Sequence, residues 1–152
     1  MTVYLSPHFS IAELTHSQAA TRLGVLNEPG VAQLDNLRRL ADVLETVRSA
    51  VRDLPVLISS GFRAPAVNRE VGGAANSAHI DGRAADFTVP RFGSPKAVCQ
   101  RIVDAGIVFD QLIYEGAWVH LGIAVRHEPP RREVLTAIFE TGRPTRYLKG
   151  LQ

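Results

Sequence analysis

The sequence predicts an α+β fold with a small, largely antiparallel sheet and helices packed on one side of it. Helical periodicity dominates the first third of the chain, and short apolar segments bounded by Gly and Pro dominate the rest. A single crossing helix separates these strand-like segments, and the links between the others are short, so most neighbouring strands should run antiparallel. With 152 residues, 45% of them hydrophobic, we expect a single domain over residues 1–152 with a core of its own.

Two helical segments open the chain. The segment FSIAELTHSQAATRLG predicts a short helix capped by Ser10, with Glu13 three residues later as in a capping box and Gly24 as its stop. Residues 27–55 contain the longest predicted helix, which Pro55 ends. Its helically spaced positions form a stripe for core packing, in which only the arginine is charged: Leu34, Leu37, Ala41, Leu44, Arg48 and Val51.

The middle of the chain alternates between strand and helix signals. PVLISSGF predicts a buried strand that runs into a turn at Gly61, and RAPAVNREVGG predicts a helical turn. GRAADFTVP predicts a second strand, entered at Asp81 and Gly82. SPKAVCQRIVDAG predicts a helix with Ser94 as its cap and Pro95 at its first position.

The last third of the chain predicts a hairpin. FDQLIYE and WVHLGIAV have the pattern of two strands, joined by the short connection of residues 115–117. REVLTAIFE fits either a last strand or a short helix, and its pattern does not decide between them. The tail TGRPTRYLKGLQ predicts an irregular surface segment.

Composition limits the kinds of site and partner. The net charge is +2 and no Lys/Arg-rich block occurs, so we expect no nucleic-acid partner. Cys99 is the only cysteine, which excludes an intramolecular disulfide and a cysteine-based zinc motif. The N-terminal residues have neither the basic start nor the apolar run of a signal peptide, and no segment approaches the ~18 apolar residues of a membrane span. We therefore expect no signal peptide, no transmembrane segment and synthesis in the cytoplasm.

The stretch NSAHIDGRAADF places a carboxylate, Asp86, inside an apolar strand. A carboxylate in such a setting needs an ionic partner, hydrogen bonds or a metal ion. His79 precedes it by seven residues, so both side chains would share one face of a continuous helix. Asp81 and Gly82 argue against that helix and favour a loop that carries His79, followed by a strand that carries Asp86.

A second histidine lies in the strand-like segment WVHLGI. Strand alternation directs Val119, Leu121 and Ile123 to one side, and Trp118 and His120 to the other. Two histidines and one aspartate are a reasonable donor set for catalytic zinc, which typically has three protein ligands and an open position for water. Spacing alone also fits a hydrogen-bonded structural histidine and an aspartate paired with an arginine.

Three motifs occur in order along the chain: a strand ending in S-G-F-R, then S-x-H-x-x-G-x-A-x-D, then a W-V-H strand. Together they resemble the zinc D-alanyl-D-alanine carboxypeptidases and related phage wall peptidases. That group shares its fold with lysostaphin-type enzymes and the hedgehog signalling domain. The opening LSPHFSIAELTHSQAATRLG is also similar to that of phage-associated members, so the resemblance covers nearly the whole chain. It implies a hedgehog/DD-peptidase-like fold.

The resemblance implies a role for each matching position. Zn²⁺ would be bound by three residues: His79, Asp86 and His120. Arg63 would hold a carboxylate of the substrate, and Ser77 would help to orient the peptide. Gly82 and Ala84 would keep the path between the first two ligands tight.

The general base is open between two carboxylates. Several members of the resembled group carry an acidic residue three positions before the last histidine, where this chain has Ala117. Glu115 lies five positions before His120, in a D-Q-L-I-x-E lead-in similar to that of phage-type relatives. We expect Glu115 to be the catalytic base, with Asp81 as its competitor.

The predicted function is that of a zinc metallopeptidase which hydrolyses peptidoglycan stem peptides. D,D-carboxypeptidase and endopeptidase activity are both compatible with these motifs, as is a phage or prophage lysin that reaches the cell wall after release. We expect a monomer. The alternative is a non-catalytic cell-wall-binding module that keeps zinc for structure.

Overall fold

Eight strands and five helices make up the fold, which a computed structural model describes over residues 1–152. In chain order they are β1 (Tyr4–Ser6), β2 (Phe9–Ser10), α1 (Ile11–Thr15), α2 (Gln18–Leu23), α3 (Val31–Ala50), β3 (Leu57–Ser60), α4 (Pro65–Glu70), β4 (Ala84–Thr88), α5 (Pro95–Asp104), β5 (Gln111–Tyr114), β6 (Val119–Gly122), β7 (Glu133–Ile138) and β8 (Arg146–Lys149). No helix combines the length and the apolar character that crossing a membrane requires.

Six strands form one mixed sheet in the order β3-β4-β6-β5-β7-β8. Four of its pairings are antiparallel, and the β5–β7 pairing is parallel. Gln111 pairs with Gly122 at the end of β6 and with Glu133 at the start of β7, so the connection from β6 to β7 only has to step past the end of β5. The predicted combination of helices with a sheet is confirmed, whereas the parallel pair was not predicted.

Side chains on the sheet alternate between two faces with different roles. One face contributes Phe87, Leu112, Val119 and Leu121 to the hydrophobic core. The long helices α3 and α5 pack into the same core with these residues: Leu37, Leu40, Ala41, Leu44, Val47, Val98, Cys99 and Ile102. The opposite face of the sheet lines a cavity, which leaves it available for a site.

The N-terminal helical segment differs from the prediction. Two short helices, α1 and α2, replace the single helix, and His16 between them has an extended backbone. The break has a local cause, because the Ser17 hydroxyl accepts a hydrogen bond from Ala20 N and caps a new helix. The capping box of Ser10 and Glu13 is present as predicted, and Gly24 ends α2 in the left-handed conformation.

The long helix also ends earlier than predicted. It stops at Ala50, and Arg52 and Asp53 then adopt positive φ angles of 62° and 59°. The chain has therefore already turned before it reaches Pro55, so the proline does not end the helix.

The C-terminal tail is a strand, so the prediction of an irregular segment was wrong. β8 pairs with β7, the strand formed by the segment that fitted either a strand or a helix. Gly150 secures the end of the tail, since its N–H donates to Val134 O and its carbonyl accepts from Thr136 Oγ1. These contacts join distant positions and leave no local pattern that sequence reasoning could use.

Candidate metal centre

Three side chains converge on the face of the sheet that is not covered by α3 and α5: His79, Asp86 and His120. Their potential ligand atoms all lie within 4.8 Å of one another. Asp86 Oδ1 lies 2.9 Å from His120 Nδ1 and 3.3 Å from His79 Nε2. Two ligand atoms held at ~2.1 Å from one tetrahedral ion are ~3.4 Å apart, so this donor set fits a single metal ion.

Strand register delivers two of the three side chains. Asp86 on β4 and His120 on β6 are direct partners across an antiparallel pair, and their side chains therefore project from the same face. His79 comes from the turn before β4. Its Nδ1 lies 2.7 Å from the carbonyl oxygen of Gly61, so an N–H at Nδ1 donates there and leaves Nε2 facing Asp86.

Gly61 occupies a position that admits no side chain. A Cβ on this residue would lie 2.3 Å from the backbone oxygen of Leu14 in α1. The next residue, Phe62, donates its N–H to the same oxygen at 2.8 Å. The end of α1 therefore holds the carbonyl that orients His79.

The turn that carries His79 is shaped by its own sequence. Ser77 Oγ accepts a hydrogen bond from His79 N at 3.2 Å. Gly82 has a φ of +73°, and a Cβ there would lie 2.6 Å from the backbone oxygen of Gln33 on α3. Glycine therefore meets two requirements between the first two candidate ligands: left-handed backbone and close approach to a helix.

Asp86 is ionised despite its surroundings. Burial acts to raise its pKa, but hydrogen bonds from His120 and His79, and their charge, hold the pKa well below its usual range. A carboxylate that stays charged between two imidazoles is suited to bind a cation.

The cluster opens into a cavity of about 760 Å³. The loop after α4 forms one wall, and the sheet face around Ile113 and Gly122 contributes to its lining. Two aromatic residues, Trp118 and Tyr147, also line the cavity. Sequence reasoning assigned no role to either of them, and the lining by Tyr147 depends on the strand β8 that was not predicted.

Arg63 lines the same cavity and has no acidic partner there. Its only side-chain hydrogen bond runs from Nη2 to Ser77 Oγ at 3.4 Å, and its buried Nε has no partner. Burial lowers its pKa, and the charge of Asp86 raises it in part. A guanidinium with unused N–H groups at a cavity can bind a carboxylate.

Asn27 holds the backbone on both sides of Arg63. Its Nδ2 donates to Phe62 O at 2.9 Å, and its Oδ1 accepts from Ala64 N at 2.7 Å. A further hydrogen bond from Nδ2 to Thr15 O, at 2.7 Å, connects Asn27 to α1. Sequence reasoning missed this residue, because an asparagine in a loop carries no sign of contacts 35 or 37 positions away.

The two candidate bases lie in different surroundings. Glu115, just after β5, lines the cavity, and burial raises its pKa, with His120 lowering and Asp86 raising it to a smaller extent. Asp81 is not part of the lining, and its Oδ2 accepts hydrogen bonds from Arg83 Nη2 at 2.9 Å and Nε at 3.2 Å. Of the two carboxylates, only Glu115 shares the cavity with the cluster.

Comparison with known proteins gives two similarities. Residues 7–122 match the model of a family described as peptidase M15. A stretch of 44 residues is 46% identical to the zinc D-Ala-D-Ala carboxypeptidase of Streptomyces albus G. That stretch covers 29% of this chain and 17% of the Streptomyces enzyme, so the similarity spans only a small part of that relative. The three residues of the cluster all lie within the family match.

Proposed function

Because the chain belongs to the peptidase M15 family, we propose that it is a zinc-dependent peptidase that hydrolyses the stem peptides of bacterial peptidoglycan. The observation that carries the proposal is the cluster of His79, Asp86 and His120 at an open cavity that also holds the unpaired Arg63. The similarity to a zinc D-Ala-D-Ala carboxypeptidase supports both the metal and the class of substrate.

The donor set suits catalytic zinc. Two imidazole nitrogens and one carboxylate oxygen supply three ligands, which leaves a fourth position for water. His79 presents Nε2 because its Nδ1 is engaged by Gly61. When bound, the ion polarises the scissile carbonyl and lowers the pKa of water to ~7.

Glu115 is the general base of the proposed reaction. It accepts a proton from the attacking water and transfers it to the leaving amine. Its raised pKa suits this task, because a base is most effective when its pKa lies near the working pH. The pairing of Asp81 with Arg83 and its position outside the cavity lining favour Glu115 over Asp81 for this role.

Arg63 binds the substrate carboxylate through its planar guanidinium, and Ser77 supports that group through its hydroxyl. Arg63 follows β3, which is adjacent to the strand that carries Asp86. One strand spacing is ~4.8 Å, little more than the ~3.3 Å rise of a single extended residue. The bound carboxylate therefore belongs close to the scissile bond, which favours D,D-carboxypeptidase over endopeptidase activity.

Release of D-alanine from a synthetic peptide ending in D-Ala-D-Ala tests the proposal. We expect zinc-dependent release from the peptide with a free C-terminal carboxylate and much slower release from its C-terminal amide. Absence of release from both peptides by protein that contains stoichiometric zinc would contradict the proposed activity. Equal rates on both would contradict the assignment of a terminal carboxylate to Arg63.

A further inference from the structure

Two aromatic residues line the cavity and are called the aromatic wall here: Trp118, which directly precedes β6 beside the metal cluster, and Tyr147 on the edge strand β8, on the side away from Arg63. We propose that this aromatic wall binds the part of the stem peptide on the N-terminal side of the scissile bond, and that Tyr147 sets a preference for substrates extended in that direction. The inference rests on the proposed function for the identity of the peptide. Tyr147 lies outside the segment matched by the family model.

The strand order places the functional side chains in a line across the sheet. From β3 to β8 the order is Arg63, Asp86, His120, Glu115 and Tyr147. The cluster is one strand from Arg63, whereas β8 is three strands from β6. At ~4.8 Å per strand the latter distance is ~14 Å, which an extended peptide covers with about four residues. The cavity is therefore short on the side of the carboxylate and long on the other side.

The register brings Tyr147 into the row of Glu115. Tyr114 pairs with Thr136, so Glu115 comes next to Ala137, and Ala137 pairs with Tyr147. Ala137 is the only residue between the two in this row. Burial raises the pKa of Tyr147, and the charge of Glu115 raises it further, which agrees with this placement.

The aromatic wall has the chemistry to bind a peptide. Tyr147 is 52% exposed, and its hydroxyl makes no hydrogen bond within the chain. The ring of Trp118 packs against Phe139 with centroids 6.5 Å apart, which fixes its orientation at the cavity. An aromatic ring with a free polar tip can cover an apolar side chain and donate to a peptide carbonyl at once.

Arg63 sets the direction of the bound peptide. With the C-terminal carboxylate on the β3 side, the chain must cross the cluster and Glu115 before it reaches β8. The groups that meet Tyr147 and Trp118 are therefore residues on the acyl side of the scissile bond. A dipeptide is too short to reach Tyr147, and a pentapeptide is long enough.

Trp118 is the only tryptophan of the chain, so its fluorescence reports binding at the aromatic wall without any reaction. In zinc-loaded protein carrying Glu115→Gln, which should not turn over substrate, we expect a pentapeptide ending in D-Ala-D-Ala to change this emission. Titrations followed by this emission should give a weaker affinity for the acetylated dipeptide D-Ala-D-Ala, which does not reach Tyr147. Tyr147→Ala should weaken pentapeptide binding about 5- to 10-fold, and Tyr147→Phe should weaken it less, since the ring remains.

A control on the same strand separates binding from folding. Leu148 lies on β8 and faces away from the cavity side, so Leu148→Ala perturbs the strand without altering the aromatic wall. Two results would overturn the inference. One is the same pentapeptide affinity with Tyr147→Ala as with Tyr147 in place, and the other is an equal loss of pentapeptide affinity in Leu148→Ala. If Tyr147→Ala does not fold, unchanged pentapeptide affinity in Tyr147→Phe together with equal affinities of the Tyr147 protein for both peptides would overturn it. Selective pentapeptide binding without release of D-alanine by the wild-type protein would instead overturn the proposed function and leave the inference standing.

Discussion

Asp86 and His120 face each other as register partners on β4 and β6, and their Oδ1 and Nδ1 atoms lie 2.9 Å apart. The two residues are 34 positions apart in the chain, so the pairing of the strands, and not local sequence, creates this contact. His79 adds a third donor from the preceding turn, 3.3 Å from the same carboxylate oxygen. The integrity of the proposed metal centre thus depends on the sheet.

Removal of any one of the three donors should abolish tight zinc binding. We expect one zinc ion per chain in the wild-type protein and a large loss of zinc in His79→Ala, Asp86→Ala and His120→Ala, measured by elemental analysis after dialysis. His16→Ala is the matched control, because His16 is exposed and lies outside the cluster. Full zinc content in His120→Ala would contradict the ligand set.

Substitution of Gly61 should impair zinc binding without touching a ligand. A Cβ at this position would meet Leu14 O at 2.3 Å, so the backbone of Gly61→Ala must move, and the carbonyl that orients His79 moves with it. Loss of such an outer partner typically costs ~10–100-fold in metal affinity. Competition with a zinc indicator dye measures the affinity. Gly142→Ala serves as a control with positive φ and no close neighbour.

Glu115→Gln should lower turnover by about 10²–10⁴-fold while zinc content stays unchanged. Asp81→Asn should cost much less, because Asp81 bonds to Arg83 and does not line the cavity. Steady-state hydrolysis of a D-Ala-D-Ala peptide measures both variants. The reverse ranking, with zinc retained in both, would assign the base to Asp81.

The raised pKa of Glu115 also predicts a pH dependence. A general base must be deprotonated, so kcat/KM should fall as the pH drops through the pKa of Glu115, which burial raises above its ordinary value. The same shift favours the protonated form in the folded protein, so it stabilises the fold at low pH, and that contribution is lost as the pH rises through the pKa. Glu115→Gln should therefore be no less stable than the wild type at neutral pH, as thermal unfolding would show.

Arg63→Lys should weaken catalysis with little change in thermal stability. Lysine keeps the charge but loses the planar arrangement of N–H groups that grips a carboxylate at two points. Arg63 has no acidic partner in the cavity, so its replacement breaks no ion pair. A lower melting temperature with unchanged kinetics would show that Arg63 is structural.

The contact between the β1–β2 segment and α3 should contribute stability that depends on pH. Glu45 on α3 accepts hydrogen bonds from Ser6 Oγ at 2.6 Å and from His8 N at 2.8 Å. Burial raises the pKa of Glu45, but these bonds and the imidazole of His8 outweigh it, so the net pKa is lowered. The stabilisation is therefore present above the unfolded-state pKa of ~4.3 and is lost as the pH falls through the lower folded-state value.

Glu45→Gln should thus reduce the free energy of unfolding at pH 7 by about 1.5–3 kcal/mol, the usual contribution of hydrogen bonds to a charged group. Urea unfolding of both proteins at pH 7 and at pH 3 measures the difference. We expect the difference to shrink at pH 3. A constant difference at both pH values would contradict the ionic role of Glu45.

Local signals in the sequence predicted much of the site. Alternation in WVHLGI correctly separates the buried Val119 and Leu121 from His120, and the cap at Ser94 correctly starts α5. Such features depend on neighbours a few residues away, which a sequence displays directly.

Contacts between distant segments were not predictable in the same way. The parallel pairing of β5 with β7 and the addition of β8 depend on which edges meet in space. The placement of Tyr147 at the cavity depends on the addition of β8, and the hydrogen bonds of Asn27 on either side of Arg63 are likewise long-range contacts. The motifs of the site could be recognised, whereas its supporting residues and the far end of its cavity needed the structure.

Mass analysis of purified peptidoglycan after digestion tests the central claim most directly. The zinc-loaded protein should convert pentapeptide stems to tetrapeptide stems, and chelation or the His120→Ala substitution should abolish the conversion. Unchanged stem masses in the presence of protein that carries one zinc ion per chain would contradict the account of this chain as a peptidoglycan peptidase.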